Sequence, residues 1–117
     1  MTRVLVVEDE GLVRLDITSY LRSRGFRVLE AGNAHEAIQL LNADPSIDLV
    51  FSDISMPGNL NGIDLARWVR DERRRVAVLL TSGTANNVQL ASVDNVVVQK
   101  PYHPSDVEMS IRRLLGS

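Results

Sequence analysis

A chain of 117 residues, 44% of them hydrophobic, is long enough for one domain with a buried core and too short for two. Its net charge of −2 lacks the basic footprint of a nucleic-acid binder, and no apolar run approaches the roughly 20 residues that span a bilayer. The absence of cysteine excludes disulfide frameworks, thiolate catalysis and Cys-based zinc sites, and with no signal-peptide layout at Met1-Thr2-Arg3 it fits a cytoplasmic protein.

The elements follow in regular alternation. Arg3 to Val7 (RVLVV) is a short β-branched strand that ends at Glu8-Asp9-Glu10. Leu12, Val13, Leu15, Ile17, Tyr20 and Leu21 recur at helical spacing, and Gly25 stands where a helix C′ glycine belongs. Phe26 to Ala31 is a second strand. Asn33 and Glu36 form an N-cap pair opening a helix to about Leu41. Asp48 to Ser52 is a third strand, and after the Pro57-Gly58 loop Ile63, Leu65, Ala66, Trp68 and Val69 mark a third helix. Val76 to Leu80 and Val96 to Val98 are strands four and five. The polar stretch GTANNVQLASVDN between them leaves room only for a short or irregular fourth helix. Pro104 suits the first turn of a last helix reaching Leu115, with Val107, Met109, Ile111, Leu114 and Leu115 as apolar positions.

Strands alternating with helices, the strands continuously apolar, define an α/β fold with a parallel sheet covered on both faces. The expectation is a doubly wound five-stranded sheet of flavodoxin-like order 2-1-3-4-5, forming a single domain over residues 1–117. Ligands of such sheets bind beyond the carboxyl ends of the strands, near the point where strand order reverses. Those ends carry Glu8 and Asp9, Asp53, Thr81-Ser82, and Lys100. Lys100 is the only lysine among 13 basic residues. Carboxylates crowded at one place repel, and a hard divalent cation such as Mg²⁺ resolves the repulsion. A cation, a lysine and a hydroxyl around an acid make a site for a transferring phosphoryl group, with Asp53 as its nucleophile.

These residues resemble the receiver domains of bacterial two-component response regulators (CheY-like), and the resemblance covers the whole chain. It is carried by Glu8-Asp9, by Asp53 in DISMPG, by Thr81 in LLTSG and by Lys100 in KPY. It implies that Asp53 accepts phosphate from a phosphohistidine on a histidine kinase or histidine phosphotransfer protein. Asp9, Asp53 and the backbone carbonyl of Ser55 would ligate Mg²⁺, with Glu8 acting through a bound water. Lys100 would contact Asp53 or its phosphate, Thr81 would turn in to a phosphoryl oxygen, and Lys100-Pro101 is the place for a cis peptide. Such a domain catalyses only its own phosphotransfer and dephosphorylation, with Ser55 and Gly83 flanking the pocket. It signals to a downstream protein or an attached output domain rather than to nucleic acid or membrane.

The chain departs from that family at Val97, where an aromatic residue is common, and in its short interval from Thr81 to Lys100. A receiver-like module that docks without being phosphorylated is the alternative that Val97 keeps open. A flavodoxin-like FMN carrier is disfavoured by three acids where a phosphate loop would lie, and neither GxGxxG nor GxxxxGK[ST] occurs. Trp68 reads as packing, and His35 and His103 as surface or capping residues without metal-ligand partners. Asp16, Arg22, Arg112 and Arg113, on the first and last helices, are the expected partner contacts.

Overall fold

The structure, a computed structural model, describes residues 1–116; Ser117, the last residue of the expected domain, lies outside the described residues. Five strands, β1 (Arg3–Val7), β2 (Arg27–Ala31), β3 (Leu49–Asp53), β4 (Ala77–Ser82) and β5 (Val96–Gln99), form one parallel sheet. Its order is β2-β1-β3-β4-β5, the order expected from the sequence. The helices between and after them are α1 (Gly11–Ser23), α2 (Ala34–Ala43), α3 (Gly62–Glu72), α4 (Ala85–Ala91) and α5 (Pro104–Leu114).

Alternation along β1 divides the core. Val4 and Val6 face α1 and α5, packing with Ile17, Leu21, Phe51, Val107 and Ile111. Leu5 and Val7 face α2 and α3, against Ala37, Leu41, Leu65 and Val69. A smaller cluster of Ile54, Ala66, Leu80 and Ala91 lies under α4, with Val97 packed at its border. Both faces of the three inner strands are covered, which is why those strands read as unbroken apolar runs.

Helix ends follow local chemistry. Asn33 accepts from the Glu36 amide at 2.9 Å, and the Glu36 carboxylate bonds the amide of Gly32, one residue earlier than the expected capping box. A reciprocal box that the sequence reading missed opens α3: Asn61 and Asp64 bond each other's amides, both at 2.9 Å. Gly25 has φ +93° after α1, as its position predicts. Helix α4 has 7 residues and no side-chain cap, the short element expected there.

Two helices present faces that their periodicity does not predict. On α1, Leu12 and Leu15 are 83% and 56% exposed, and the buried stripe is Ile17, Thr18 and Leu21. On α5, Met109 is 58% exposed while its neighbour Glu108 is only 7% exposed. Glu108 is buried because its partners come with it. Tyr20 donates at 2.8 Å, Arg24 at 3.1 Å and Arg112 at 3.0 Å, tying α5 to α1. The Tyr20 hydroxyl and the two guanidinium groups hold the Glu108 carboxyl below its ordinary range against the opposing effect of burial.

The approach of α3 to β3 depends on Gly62. A Cβ there would meet the Asp53 carbonyl oxygen at 2.3 Å and Ile54 Cα at 2.8 Å, both backbone atoms. Gly62→Ala is expected to destabilise the domain by about 1–3 kcal/mol in urea unfolding, because the strand tip bearing Asp53 must shift. An unchanged midpoint would show that the backbone yields freely.

Because its folded-state carboxyl is depressed, Glu108 contributes stability that is present above about pH 4.5 and lost as pH falls through the lower folded value. Glu108→Gln should cost about 1–3 kcal/mol at pH 7. The gap to the parent should close below about pH 4.5, measured by urea titration across pH. A gap that stays constant would deny the carboxylate this role.

Candidate functional site

The sheet places the residues picked out at the strand ends together. Asp53 is the last residue of β3 and pairs in register with Thr81 of β4, so both belong to the sheet rather than to the loops after it. The Glu8 amide continues the ladder to Ala31 at 3.0 Å, and the Lys100 amide continues it to Ser82 at 2.9 Å. Glu8, Asp53, Thr81 and Lys100 therefore stand on backbone held in the sheet's hydrogen-bond ladder. The Lys100-Pro101 peptide is cis.

Carboxylate oxygens of Glu8, Asp9 and Asp53 all lie within 4.8 Å of one another. Glu8 and Asp53 are buried, and Asp9 is exposed. Lys100 Nζ sits between the two buried acids, 2.7 Å from Asp53 Oδ2 and 3.1 Å from Glu8 Oε1. Their other oxygens accept backbone amides: Asp53 Oδ1 from Ser55 at 3.1 Å, and Glu8 Oε2 from Glu10 at 3.2 Å. Burial pushes Glu8 above the ordinary carboxylate range; the Glu10 amide and Lys100 pull it back, and the charge of Asp53 pushes it further up. Burial alone would lower Lys100, but its bonds to Asp53 and Glu8 outweigh it and hold the ammonium well above its usual range. This lysine stays charged.

Thr81 is buried, and its hydroxyl has no hydrogen-bond partner among the described residues. An unsatisfied buried hydroxyl costs about 1–3 kcal/mol, so such a group paired in register with Asp53 calls for an explanation. Ser82, by contrast, is used locally, accepting from the Thr84 amide at 3.2 Å. Ser55 is exposed in the loop after β3, and Asn87 of α4 reaches its hydroxyl at 3.3 Å. A Cβ on Gly83 would stand 3.9 Å from the Lys100 side chain, so this residue borders the pocket without crowding it. Val97 pairs in register with Leu80, and the aromatic beside Lys100 is instead Tyr102, set edge-on to Phe51 with ring centroids 5.8 Å apart. Burial pushes the Tyr102 hydroxyl up to about 12.

The remaining expectations divide. Trp68 packs half-buried in the α2–α3 core under Arg73, and His35 and His103 are exposed. Asp16, Arg22 and Arg113 are exposed, Arg22 while paired with Glu30, and Arg112 is half-buried against Glu108. A groove of roughly 610 Å³ runs beside Lys100, between Glu10, Asp16 and Ile17 of the α1 region and Pro101 and Tyr102. No helix among the described residues is long and apolar enough to cross a membrane.

Fold and site together mark a class of signalling domain, and over residues 4–112 the chain belongs to the response regulator receiver domain family. It is 34% identical over 118 residues to the transcriptional regulatory protein ResD of Bacillus subtilis, which covers 97% of this chain and 48% of ResD. The chain spans about half the length of the first curated relatives it matches. Among solved structures, the response regulator TrrA of Thermotoga maritima, in complex with Mg²⁺-BeF, has a TM-score of 0.88 at 27% identity, covering 97% of this chain and 99% of TrrA. The receiver domain of the hybrid histidine kinase CckA has a TM-score of 0.80 at 32% identity, covering 97% and 98%.

Three carboxylates and no nitrogen or sulfur ligand form a hard-oxygen donor set that fits Mg²⁺. At a Mg²⁺ concentration 100 times its Kd the domain should gain about 2.7 kcal/mol of stability, read as a higher Tm. Asp9→Asn should remove most of that gain. A parent protein whose Tm ignores millimolar Mg²⁺ would contradict the assignment.

Proposed function

We propose that the domain, taken as one receiver over residues 1–117, accepts a phosphoryl group on Asp53 from a phosphohistidine donor. The observation that supports this best is the bond from Lys100 Nζ to Asp53 Oδ2, at 2.7 Å, within a cluster holding two further acids. Glu8, Asp9, Asp53 and the backbone carbonyl of Ser55 would hold Mg²⁺, with Glu8 acting through water. When bound, the ion supplies positive charge against the phosphoryl oxygens.

The chain's own residues do the rest. An Asp53 carboxylate oxygen attacks phosphorus in line, the new O–P bond forms as the N–P bond of the donor breaks, and the imidazole leaves with the electron pair. Lys100, permanently charged, neutralises Asp53 before attack and follows the charge onto the phosphoryl oxygens afterwards. Thr81 holds an unused hydroxyl for one of those oxygens, and this bond is the step that changes the conformation. The activity is limited to the domain's own phosphotransfer and dephosphorylation, in the cytoplasm.

A protein donor needs a surface as well as a site. The groove beside Lys100 opens onto α1, where Leu12, Leu15 and Asp16 are exposed, and this supports a histidine kinase or phosphotransfer protein as donor. The output is a downstream protein or an attached output domain.

Intact-mass spectrometry after incubation with acetyl phosphate and Mg²⁺ is expected to show a gain of one phosphoryl group. That gain should be absent without Mg²⁺ and in Asp53→Asn. Thr81→Ala should keep the label and lose the conformational response seen in amide NMR shifts. If neither acetyl phosphate nor a phosphorylated histidine kinase changes the mass, the acceptor reading is wrong and the domain is a docking module.

A further inference from the structure

We infer that Arg14, which no step above uses, is a positioning residue for the acid pair, an inference that rests on the Mg²⁺ reading of Glu8 and Asp9. Strand β1 ends at Val7, and the chain must turn through Glu8, Asp9 and Glu10 before α1 begins at Gly11. The turn's one internal side-chain bond, from the Glu10 amide to Glu8 Oε2 at 3.2 Å, does not reach the Glu8 carbonyl. Helix α1 starts on Glu10 without a side-chain cap and without an acid in its first turn. Support comes instead from inside the helix. Arg14 Nη1 donates to the backbone carbonyl of Glu8 at 2.7 Å, folding back over the turn it follows.

The bond is set up from both sides. The Glu8 amide is committed to Ala31 at 3.0 Å, so with the carbonyl held by Arg14 both peptide planes flanking Glu8 are fixed. The second of these planes leads directly into Asp9, whose side chain is exposed and makes no hydrogen bond within the described residues. Orientation of the Asp9 carboxylate therefore depends on its backbone. Arg14 is itself aimed by Glu30 at the edge of the sheet, Nε to Oε1 at 3.1 Å, and this carboxylate offsets a cation that would otherwise oppose a metal nearby. A Cβ on Gly32 would stand 3.7 Å from Arg14 Nη1 and 3.3 Å from the Glu36 carboxylate, so the glycine leaves the guanidinium its room. Replacing groups outside a ligand set that fix its orientation typically costs about 10–100-fold in metal affinity.

The same contact surface provides a control. Arg22, two turns further along α1, also binds Glu30, at 3.1 Å, and the Val28 carbonyl at 3.0 Å, but touches neither member of the acid pair. Arg14→Ala and Arg22→Ala both remove a tie between α1 and β2. Only the first releases Glu8.

Isothermal titration of Mg²⁺ into the unphosphorylated domain distinguishes the two, with urea unfolding in parallel without metal. Arg14→Ala is expected to weaken Mg²⁺ binding by about 10–100-fold while Arg22→Ala leaves it within about twofold at a similar stability loss. Arg14→Lys, which keeps the charge but loses the two-sided fork, should recover part of the affinity. If Arg14→Ala does not fold, Glu30→Gln carries the test, because it leaves the guanidinium present but unaimed, and a several-fold loss is expected. Equal Mg²⁺ affinity in the parent and in Arg14→Ala, or tighter binding in the variant, would overturn the positioning role while leaving the site reading intact. A parent domain that binds no Mg²⁺ would overturn both.

Discussion

Mutual repulsion among three carboxylates is the constraint around which this end of the molecule is organised. Glu8, Asp9 and Asp53 approach within 4.8 Å, and two of them are buried. Charges so placed are costly unless cations and amides share the space. Lys100 answers part of the charge, bonding both buried acids, and the amides of Ser55 and Glu10 answer part of the rest. Four acceptor contacts do not neutralise three negative charges with one positive charge. The residual field fits the cluster to a further cation, and a parallel sheet is well suited to gather such a cluster because every strand delivers its last residue to the same edge.

The rest of the fold can be understood as bracing for that edge. Gly62 lets α3 close against the backbone of Asp53, the Asn61–Asp64 box fixes where α3 begins, and the Gly62 amide bonds the Ile54 carbonyl at 2.9 Å. On the other side, α1 and α5 are joined through Glu108, which accepts from Tyr20 of α1, Arg24 just after it and Arg112 of α5. That junction fixes α5, whose first turn follows directly on the Lys100-Pro101-Tyr102 segment. Buried polar groups so fully satisfied favour one arrangement of the two helices.

The strand-end residues were legible because their signal is local and repeated: an apolar run, then an acid, hydroxyl or lysine, four times in one chain. Strand order followed from the same alternation, and the short α4 from its polar composition. Other features depend on residues far apart in sequence, and periodicity is blind to them. Glu108 looks exposed and Met109 buried until Tyr20 and Arg24, more than 80 residues earlier, arrive to partner the carboxylate. Leu12 and Leu15 fall on a helical repeat, yet both are exposed, and the buried stripe of α1 runs through Ile17, Thr18 and Leu21. Arg14 gave no signal beyond its charge, because its partners are a carbonyl and the Glu30 of a neighbouring strand. The Asn61–Asp64 box had a local signal, N-x-x-D before an apolar run, and could have been read.

Val97 bears on how a change at Asp53 can travel. With no aromatic ring there, a path from Thr81 under the proposed reading would run through small aliphatic contacts, since Val97 pairs with Leu80 and packs at the border of the cluster under α4. That cluster is the smallest of the three, and the helix over it is the shortest and lacks a side-chain cap. Elements with little buried area and unsupported ends open at the lowest free energy. A hydroxyl drawn toward Asp53 from the register position it shares on β4 therefore acts on the least braced part of the fold. Asn87 at the start of α4, already bonded to Ser55 in the loop after Asp53, gives that helix a second and direct contact with the site. Under the proposed reading, α4 responds as a whole through these two contacts, and a swinging ring is not required.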